Sequence, residues 1–445
     1  MIISKTFHLE PKCRLPAFEV VASTLRSGGG AESLCRALTP AESCVRPQDA
    51  RRARRAAAAD GGSSSSRDRL KDALSEIFPD TESFLFSSGT DALFRILGIL
   101  ARGSGRRHVL MSAYTCPDVA AAAVRVGLKV ALIDVDPETL LLRPESVPLD
   151  LSKDVLAVIL SNLYGLPDPI ERWLALSAEH RFLVIDDACQ SALSKEDDRR
   201  IGARGDAIGV LSFGRGKAFS GIGGGAVLLP SGTRLASSVN AAQIGKIRDG
   251  LLGSPQEKER PLAGQIDWAR GFLLSVLARP EWYWLPSSIP FLGLGEAHCD
   301  LEFGIGGLTD TQAAFAEARI ETLSVIERVY RANARLWVEE LERLNGRGRF
   351  QLFGARLASA LVAPTRMPFL AGSREERDLL LRKAKRFGVS SSYPNTLEDY
   401  EQLSSCVVHS ALPGAKTVAA RILTLPVHQY VTDDDRRRVT KLWRE

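Results

Sequence analysis

The sequence predicts an α/β protein whose main body is a largely parallel sheet with helices on both faces. Short apolar runs alternate with amphipathic stretches of helical length, which is the mark of βαβ units. The chain has 445 residues, 45% hydrophobic and 25% charged. That is ordinary for a globular protein and enough for a large domain with a smaller appendage.

The elements follow in order. Residues 1–66 read as an irregular N-terminal segment. Its low-complexity run from Arg51 to Ser66, rich in Arg, Ala, Gly and Ser, reads as a mobile surface loop. A large domain is expected over 67–305. It opens with a helix near Arg67–Phe78 and an apolar strand ending at Phe86. Strands are then expected at His108–Ser112, Val130–Asp134, Val155–Ser161, Phe182–Asp186, Ala207–Ser212 and Ala226–Leu229. Helices fill Asp91–Ala101, Asp118–Val126, Ile170–His180 and Ser237–Ile244. Residues 246–305 break this rhythm with charges and then the apolar run Phe272–Pro286, so they read as a helical insert packed as a lid.

A single long helix is expected next, connecting the domains across 306–344. Ile320, Leu323, Ile326, Tyr330, Ala334, Trp337 and Leu341 recur at steps of three and four and give it one apolar face. Residues 345–445 then read as a small C-terminal α+β domain. Its strands are expected near Leu357–Ala363 and Ile422–Leu425, and its helices at Ser373–Phe387 and Thr432–Trp443.

Charge and cysteine usage exclude several classes. The net charge is +5, too mild for a nucleic-acid partner without a basic, aromatic-interleaved helix. Seven cysteines are scattered without C-x-x-C or zinc spacing, so no metal site is expected. The number is odd, which excludes a complete disulfide framework and fits a reducing cytoplasm. The start has no apolar run of signal-peptide length, and no uncharged stretch is long enough to span a bilayer.

Three motifs carry the chemistry. In Phe86-Ser87-Ser88-Gly89-Thr90-Asp91 a strand ends, a turn of small residues follows and a helix begins. Free N–H groups at a helix start favour a phosphate, and the same residues would also serve as a plain cap. In Asp186-Asp187-Ala188-Cys189-Gln190 a carboxylate stands at the carboxyl end of a parallel strand, where such sheets bind ligands. In Ser212-Phe213-Gly214-Arg215-Gly216-Lys217 a lysine follows an apolar run and precedes Gly221-Ile222-Gly223-Gly224-Gly225. A lysine amine can bind an aldehyde covalently and shuttle protons, although a lone lysine is usually a surface residue. Their order suits one cofactor, pyridoxal 5'-phosphate: phosphate cradle, ring acid, ring-oxygen donor, then the lysine.

With these residues in place the chain resembles the DegT/DnrJ type of sugar aminotransferases, within the fold type I aminotransferases, over about 80–245 and 303–445. The resemblance implies a three-layer large domain and a small C-terminal domain. It implies that Ser88, Gly89, Thr90 and Ser212 hold the cofactor phosphate, that Asp187 pairs with the ring nitrogen and that Gln190 reaches the ring oxygen. Lys217 would carry the cofactor, and Lys217 and Asp187 would be the catalytic pair. The family's stacking aromatic corresponds to Cys116 in Ala113-Tyr114-Thr115-Cys116-Pro117, and Tyr114 is the aromatic close by. Phe303-Gly304-Ile305-Gly306-Gly307 replaces a run whose asparagine reaches the partner subunit's phosphate. The resemblance further implies a cytoplasmic homodimer that passes an amino group from glutamate to a keto sugar, nucleotide-linked, in polysaccharide or secondary-metabolite synthesis. Lysine rather than histidine at 217 argues against the family's dehydratases. The cofactor residues alone leave open a lyase or aldolase on the same fold, or a catalytically silent scaffold.

Overall fold

The computed structural model describes residues 36–41, 51, 65–147, 153–236, 238, 240–253, 263–288, 298–346, 348–357, 359 and 361–445. Apart from Arg51, Ser65 and Ser66, the low-complexity run expected to form a mobile loop lies outside these residues.

Among the described residues the main body is an eight-stranded sheet. Its strands are β1 (Thr81–Phe86), β2 (His108–Ser112), β3 (Lys129–Ile133), β4 (Val155–Leu160), β5 (Leu183–Asp187), β8 (Ile208–Ser212), β9 (Gly225–Pro230) and β12 (Val407–His409). The short strands β6 (Lys195–Glu196) and β7 (Arg199–Arg200) form a separate ribbon. The sheet order is β1-β9-β8-β5-β4-β2-β3-β12. Pairing is parallel from β12 through β8, and only β9 runs antiparallel to its neighbours. β4, Val-Leu-Ala-Val-Ile-Leu, is buried along its whole length, as a strand covered on both faces must be.

The helices that matter for the site are α1 (Ser66–Ile77), α2 (Gly89–Arg102), α3 (Pro117–Arg125), α4 (Ile170–His180), α5 (Ala241–Leu252), α6 (Ala263–Leu277), α7 (Asp310–Ile320) and α8 (Leu323–Leu344). α5 begins later than the expected Ser237. The Ser238 hydroxyl accepts from Asn240 N–H at 3.0 Å and donates to Asp206 at 2.7 Å, fixing a turn where the helix would have started.

The long helix expected over 306–344 is two helices, α7 and α8, broken at Glu321-Thr322. The Thr322 hydroxyl donates to the Arg319 carbonyl at 3.0 Å, competing with the backbone ladder at the break. The expected strand at Leu357–Ala363 is absent. Gly354–Leu357 is a short helical turn instead, and the strand falls at β11 (Arg366–Leu370). Pro368 conceals it in the sequence, because proline is a poor strand signal. It is tolerated because β10 (Gln351–Leu352) pairs only with Phe369 and Leu370, which leaves Pro368 a neighbour on one side alone.

β11 pairs with β10 and with β13 (Ile422–Pro426) in a small second sheet. The segment after residue 345 is not confined to that unit, since β12 extends the edge of the large sheet beside β3. Residues 36–41 dock on the same C-terminal unit. Leu38 N–H donates to the Arg386 carbonyl at 2.9 Å, and Arg36 pairs with Asp435 at 2.8 Å.

Within the insert, α6 lies against α7. A Cβ on Gly271 would stand 2.5 Å from the Phe315 ring, so only glycine permits this approach. No helix among the described residues is long and apolar enough to cross a membrane.

Candidate functional site

Five strand ends deliver the site. β1, β2, β4, β5 and β8 point the same way, and the segments that follow their carboxyl ends enclose one cavity of about 80 Å³. Gly89, Thr90, Cys116, Asp187, Gln190, Ser212 and Lys217 line it, with Thr115, Asp118, Ser161 and Cys189 among their neighbours. Residues far apart in sequence therefore meet at the edge where open parallel sheets bind ligands.

The first wall is the start of α2. The Ser88 hydroxyl accepts from Asp91 N–H at 3.0 Å and so caps the helix. Ser88 thus stands behind the cavity and does not line it. The helix leaves its first-turn N–H groups without intrahelical acceptors. Gly89 lets the turn close tightly: a Cβ there would lie 3.1 Å from both Cys189 Sγ and Ser212 Cβ. On the adjoining strand a Cβ on Gly225 would lie 2.5 Å from Gly89 N. A compact cradle of backbone at a helix start fits a phosphate group.

The 303–306 segment buttresses this turn from within the same chain. Ser87 N–H donates to the Gly306 carbonyl at 3.0 Å, and Gly306 N–H donates to Asp91 Oδ2 at 2.9 Å. The Arg125 guanidinium donates to the Phe303 carbonyl and lies 4.5 Å from the Phe303 ring centre.

The second wall is the end of β5. Successive side chains on a strand face opposite ways, and Asp186 and Asp187 divide accordingly. Asp186 is sealed against Arg204, with contacts of 2.6 and 3.0 Å, and also accepts from Asn162 and from Gly202 N–H. Asp187 lines the cavity, and its Oδ1 accepts from Cys189 N–H at 2.9 Å. Burial raises the Asp187 pKa above the ordinary carboxylate value, against the opposing pull of its hydrogen bonds from Cys189 and the charge of Lys217. A cationic ring nitrogen is the kind of partner such a carboxylate accepts.

Lys217 sits in the loop between β8 and β9. Gly221 N–H donates to the Phe213 carbonyl and Phe213 N–H to the Gly224 carbonyl, each at 2.8 Å, so the loop closes on itself. Gly224, at φ +103°, has no room for a side chain, since a Cβ would lie 2.2 Å from Leu308. The Lys217 amine has no hydrogen-bond partner among the described residues. Gln190 is held by Tyr164 N–H, which donates to Oε1 at 3.2 Å, and by Tyr393 Oη, which accepts from Nε2 at 2.8 Å.

Tyr114 does not face the cavity. Its amide and carbonyl both bond the Ser112 hydroxyl, turning the ring inward, and its hydroxyl meets that of Tyr164 at 2.9 Å. The position of a stacking aromatic is left to Cys116, which does line the cavity and whose thiol burial pushes up to about 11. Sequence reading missed Asp118, Thr115, Ser161, Cys189 and Tyr393. Asp118 had a signal, being the acidic residue in the first turn of α3. Tyr393 had none, because only the packing of the C-terminal unit brings it here.

A second chamber of about 210 Å³ adjoins the first, with Cys116, Asp118, Gln190 and Lys217 in both walls.

The sequence profile of the DegT/DnrJ/EryC1/StrS aminotransferase family matches residues 53–245 and 301–443, and the chain belongs to that family. The L-glutamine:2-deoxy-scyllo-inosose aminotransferase of Micromonospora echinospora is 27% identical over 260 residues, 58% of this chain and 53% of that protein. The UDP-N-acetyl-3-dehydro-alpha-D-glucosamine 3-aminotransferase of Acidithiobacillus ferrooxidans is 30% identical over 149 residues, 34% of this chain and 40% of that protein. The chain thus spans about half or less of these curated relatives. The solved structure of DesI with its TDP-sugar product superposes with a TM-score of 0.69 at 19% identity, covering 95% of this chain and 96% of DesI. At that identity the likeness shows the fold: a fold type I aminotransferase architecture.

Proposed function

We propose that this member of the family is a pyridoxal 5'-phosphate-dependent aminotransferase that moves an amino group from glutamate to a keto sugar, nucleotide-linked, and works as a homodimer in the cytoplasm. One observation carries the reading: Lys217, Asp187, Gln190, Ser212 and the Gly89-Thr90 helix start line a single cavity. The relatives named for amino transfer to a UDP-linked sugar and to an inosose support the acceptor class.

The residues fit the cofactor. Gly89, Thr90 and Ser212 would hold its phosphate, Asp187 its ring nitrogen, Gln190 its ring oxygen, and Lys217 its aldehyde carbon. When bound, the cofactor supplies an electron sink for the carbanion beside the transferred nitrogen. The chain's own residues do the rest. The Lys217 amine would take the proton from the donor's α carbon and return it at the other end of the transfer. Asp187 would keep a positive charge on the ring nitrogen, a task that suits a buried carboxylate in the cavity wall. Ser88 and the 303–306 segment act at a distance by fixing the helix start.

The purified protein is expected to carry a near-visible absorbance band that shifts when glutamate is added. Lys217→Ala is expected to lose the lysine-linked band and to lower turnover by at least about 10³-fold, because covalent attachment and proton transfer go together. Purified protein without any chromophore, or a Lys217→Ala variant that keeps both band and turnover, would sink the reading.

A further inference from the structure

Helix α6 in the insert is apolar on both faces. Its inner face is occupied by the protein. Gly264 abuts Thr311, where a Cβ would lie 2.9 Å from the hydroxyl, and Asp267 accepts from the Thr309 hydroxyl at 2.8 Å. Trp268 and Leu274 pack on Ile222, Ala314 and Phe315. The positions between these turn to solvent: Ile266, Ala269, Arg270, Phe272 and Leu273. Ile266 is 65% exposed, Phe272 50% and Leu273 56%. The one acidic residue of the helix, Asp267, is on the inner face. A helix with apolar residues all round is ordinarily covered on all sides, and a contiguous exposed apolar patch marks an interaction site.

The rim of this face is basic. α6 runs into a turn at 278–281, after which Trp282 is 51% exposed. The Pro280 carbonyl accepts from Ala37 N–H at 2.8 Å, and the next residue, Leu38, donates to the Arg386 carbonyl at 2.9 Å. Residues 37 and 38 therefore hold the tryptophan turn beside Arg386. Arg386 stands close enough to Arg438 that partial burial and the like charge both lower its pKa. Arg270, Arg279 and Arg386 have no ion-pair partner among the described residues. The nearby carboxylates are engaged: Glu281 lies 3.9 Å from Arg36, and Asp434 2.7 Å from Arg438. The fold thus gathers exposed apolar side chains and uncompensated arginines on one stretch of surface.

We propose that this surface seats the protein on an anionic phospholipid bilayer, with the outer face of α6 and Trp282 in the headgroup layer and the arginines on lipid phosphates. A helix that lies in the interface combines apolar side chains with basic ones in this way, and tryptophan favours the headgroup level. At about 1.5 Å per residue α6 is roughly 22 Å long, too short to cross a hydrocarbon core of about 30 Å. Charge favours lipid over a second copy of the chain. An isologous contact brings the same patch against itself, so the uncompensated arginines would meet one another. Lipid phosphate is the complement they lack.

The test is co-sedimentation of the full chain with vesicles of phosphatidylcholine alone and of phosphatidylcholine mixed with phosphatidylglycerol. Light scattering on the vesicle-free protein gives the oligomeric state. Wild type is expected to bind the anionic vesicles at least about tenfold more tightly than the neutral ones and to be released by high salt. Phe272→Gln combined with Leu273→Gln should weaken that binding by about tenfold or more. Arg270→Gln combined with Arg386→Gln should weaken it by a similar factor and flatten its salt dependence. Both double variants change exposed positions and should melt with wild type, and if one fails to fold the other decides. Wild type that stays off the anionic vesicles overturns the proposal, and so does equal binding by wild type and the variants. Equal wild-type binding to neutral and anionic vesicles overturns it too, because the arginines then have no lipid partner. A smaller oligomer in the Phe272→Gln, Leu273→Gln variant makes a second copy the occupant and likewise overturns it.

Discussion

Asp186 and Asp187 are adjacent residues of one type at the end of one strand, and the regions they enter differ in kind. Asp186 enters a closed polar knot. It has no exposure and is matched by Arg204, Asn162 and Gly202 N–H, while Arg204 also reaches Glu196 and the Asp168 carbonyl. Burial alone would lower the Arg204 pKa, but Asp186 and then Glu196 more than offset it and raise it. Asp187 enters a cavity in which only part of its hydrogen-bonding capacity is met by the protein. The closed side serves stability, whereas the open side holds a charge in reserve for something that binds.

Substitutions on the two sides should separate activity from stability. The largest effect is expected from Asp187→Asn, which should lower turnover by about 10²-fold or more while the folded protein persists. Its effect on the cofactor-free protein should run the other way. The folded Asp187 pKa is raised, so between its unfolded and folded values the folded state holds more protons, and stability falls as pH rises through that window. Asparagine removes that loss, so cofactor-free Asp187→Asn should melt higher than wild type at neutral pH. The gap should close once acid protonates Asp187. A lower melting temperature at neutral pH would contradict this account.

Asp186→Ala should do the reverse. Removing one partner of a buried ion pair leaves the other uncompensated, so chemical denaturation should show a loss of about 3–5 kcal/mol. Turnover per folded molecule should be nearly retained. A stable Asp186→Ala protein with collapsed turnover would erase the distinction between the two sides. The smallest effect is expected from Ser88→Ala. It removes the cap of α2 and should cost about 1 kcal/mol in denaturation. It should loosen the hold on the cofactor only modestly, as measured by the phosphate-dependent release of the chromophore.

Much of the fold was legible because its strands are short apolar runs bounded by turns. β2 and α4 fall on the expected residues, and β3, β4, β5, β8 and β9 differ from expectation by one residue at one end or both. The exceptions have local causes. The hydroxyl of Thr322 interrupts an otherwise continuous apolar face, and Pro368 disguises a strand. β12, only Val407–His409, is too short to carry a periodic signal, yet its pairing with β3 joins the C-terminal unit to the large sheet.

The same division holds in the site. The sequence by itself determined which groups are available at the strand ends: the helix start at Gly89-Thr90, the carboxylates at 186 and 187, the amide at 190, the hydroxyl at 212 and the amine at 217. Each of these is announced by residues beside it in the chain. The tertiary structure alone decided how those groups are used. It turned Tyr114 inward and left Cys116 at the cavity, sealed one aspartate and exposed its neighbour, and brought Arg366 and Tyr393 to the lysine. The physical reason is range. Helix starts and strand ends are set by neighbours in sequence, whereas the partner of a buried charge is set by whichever distant segment packs against it.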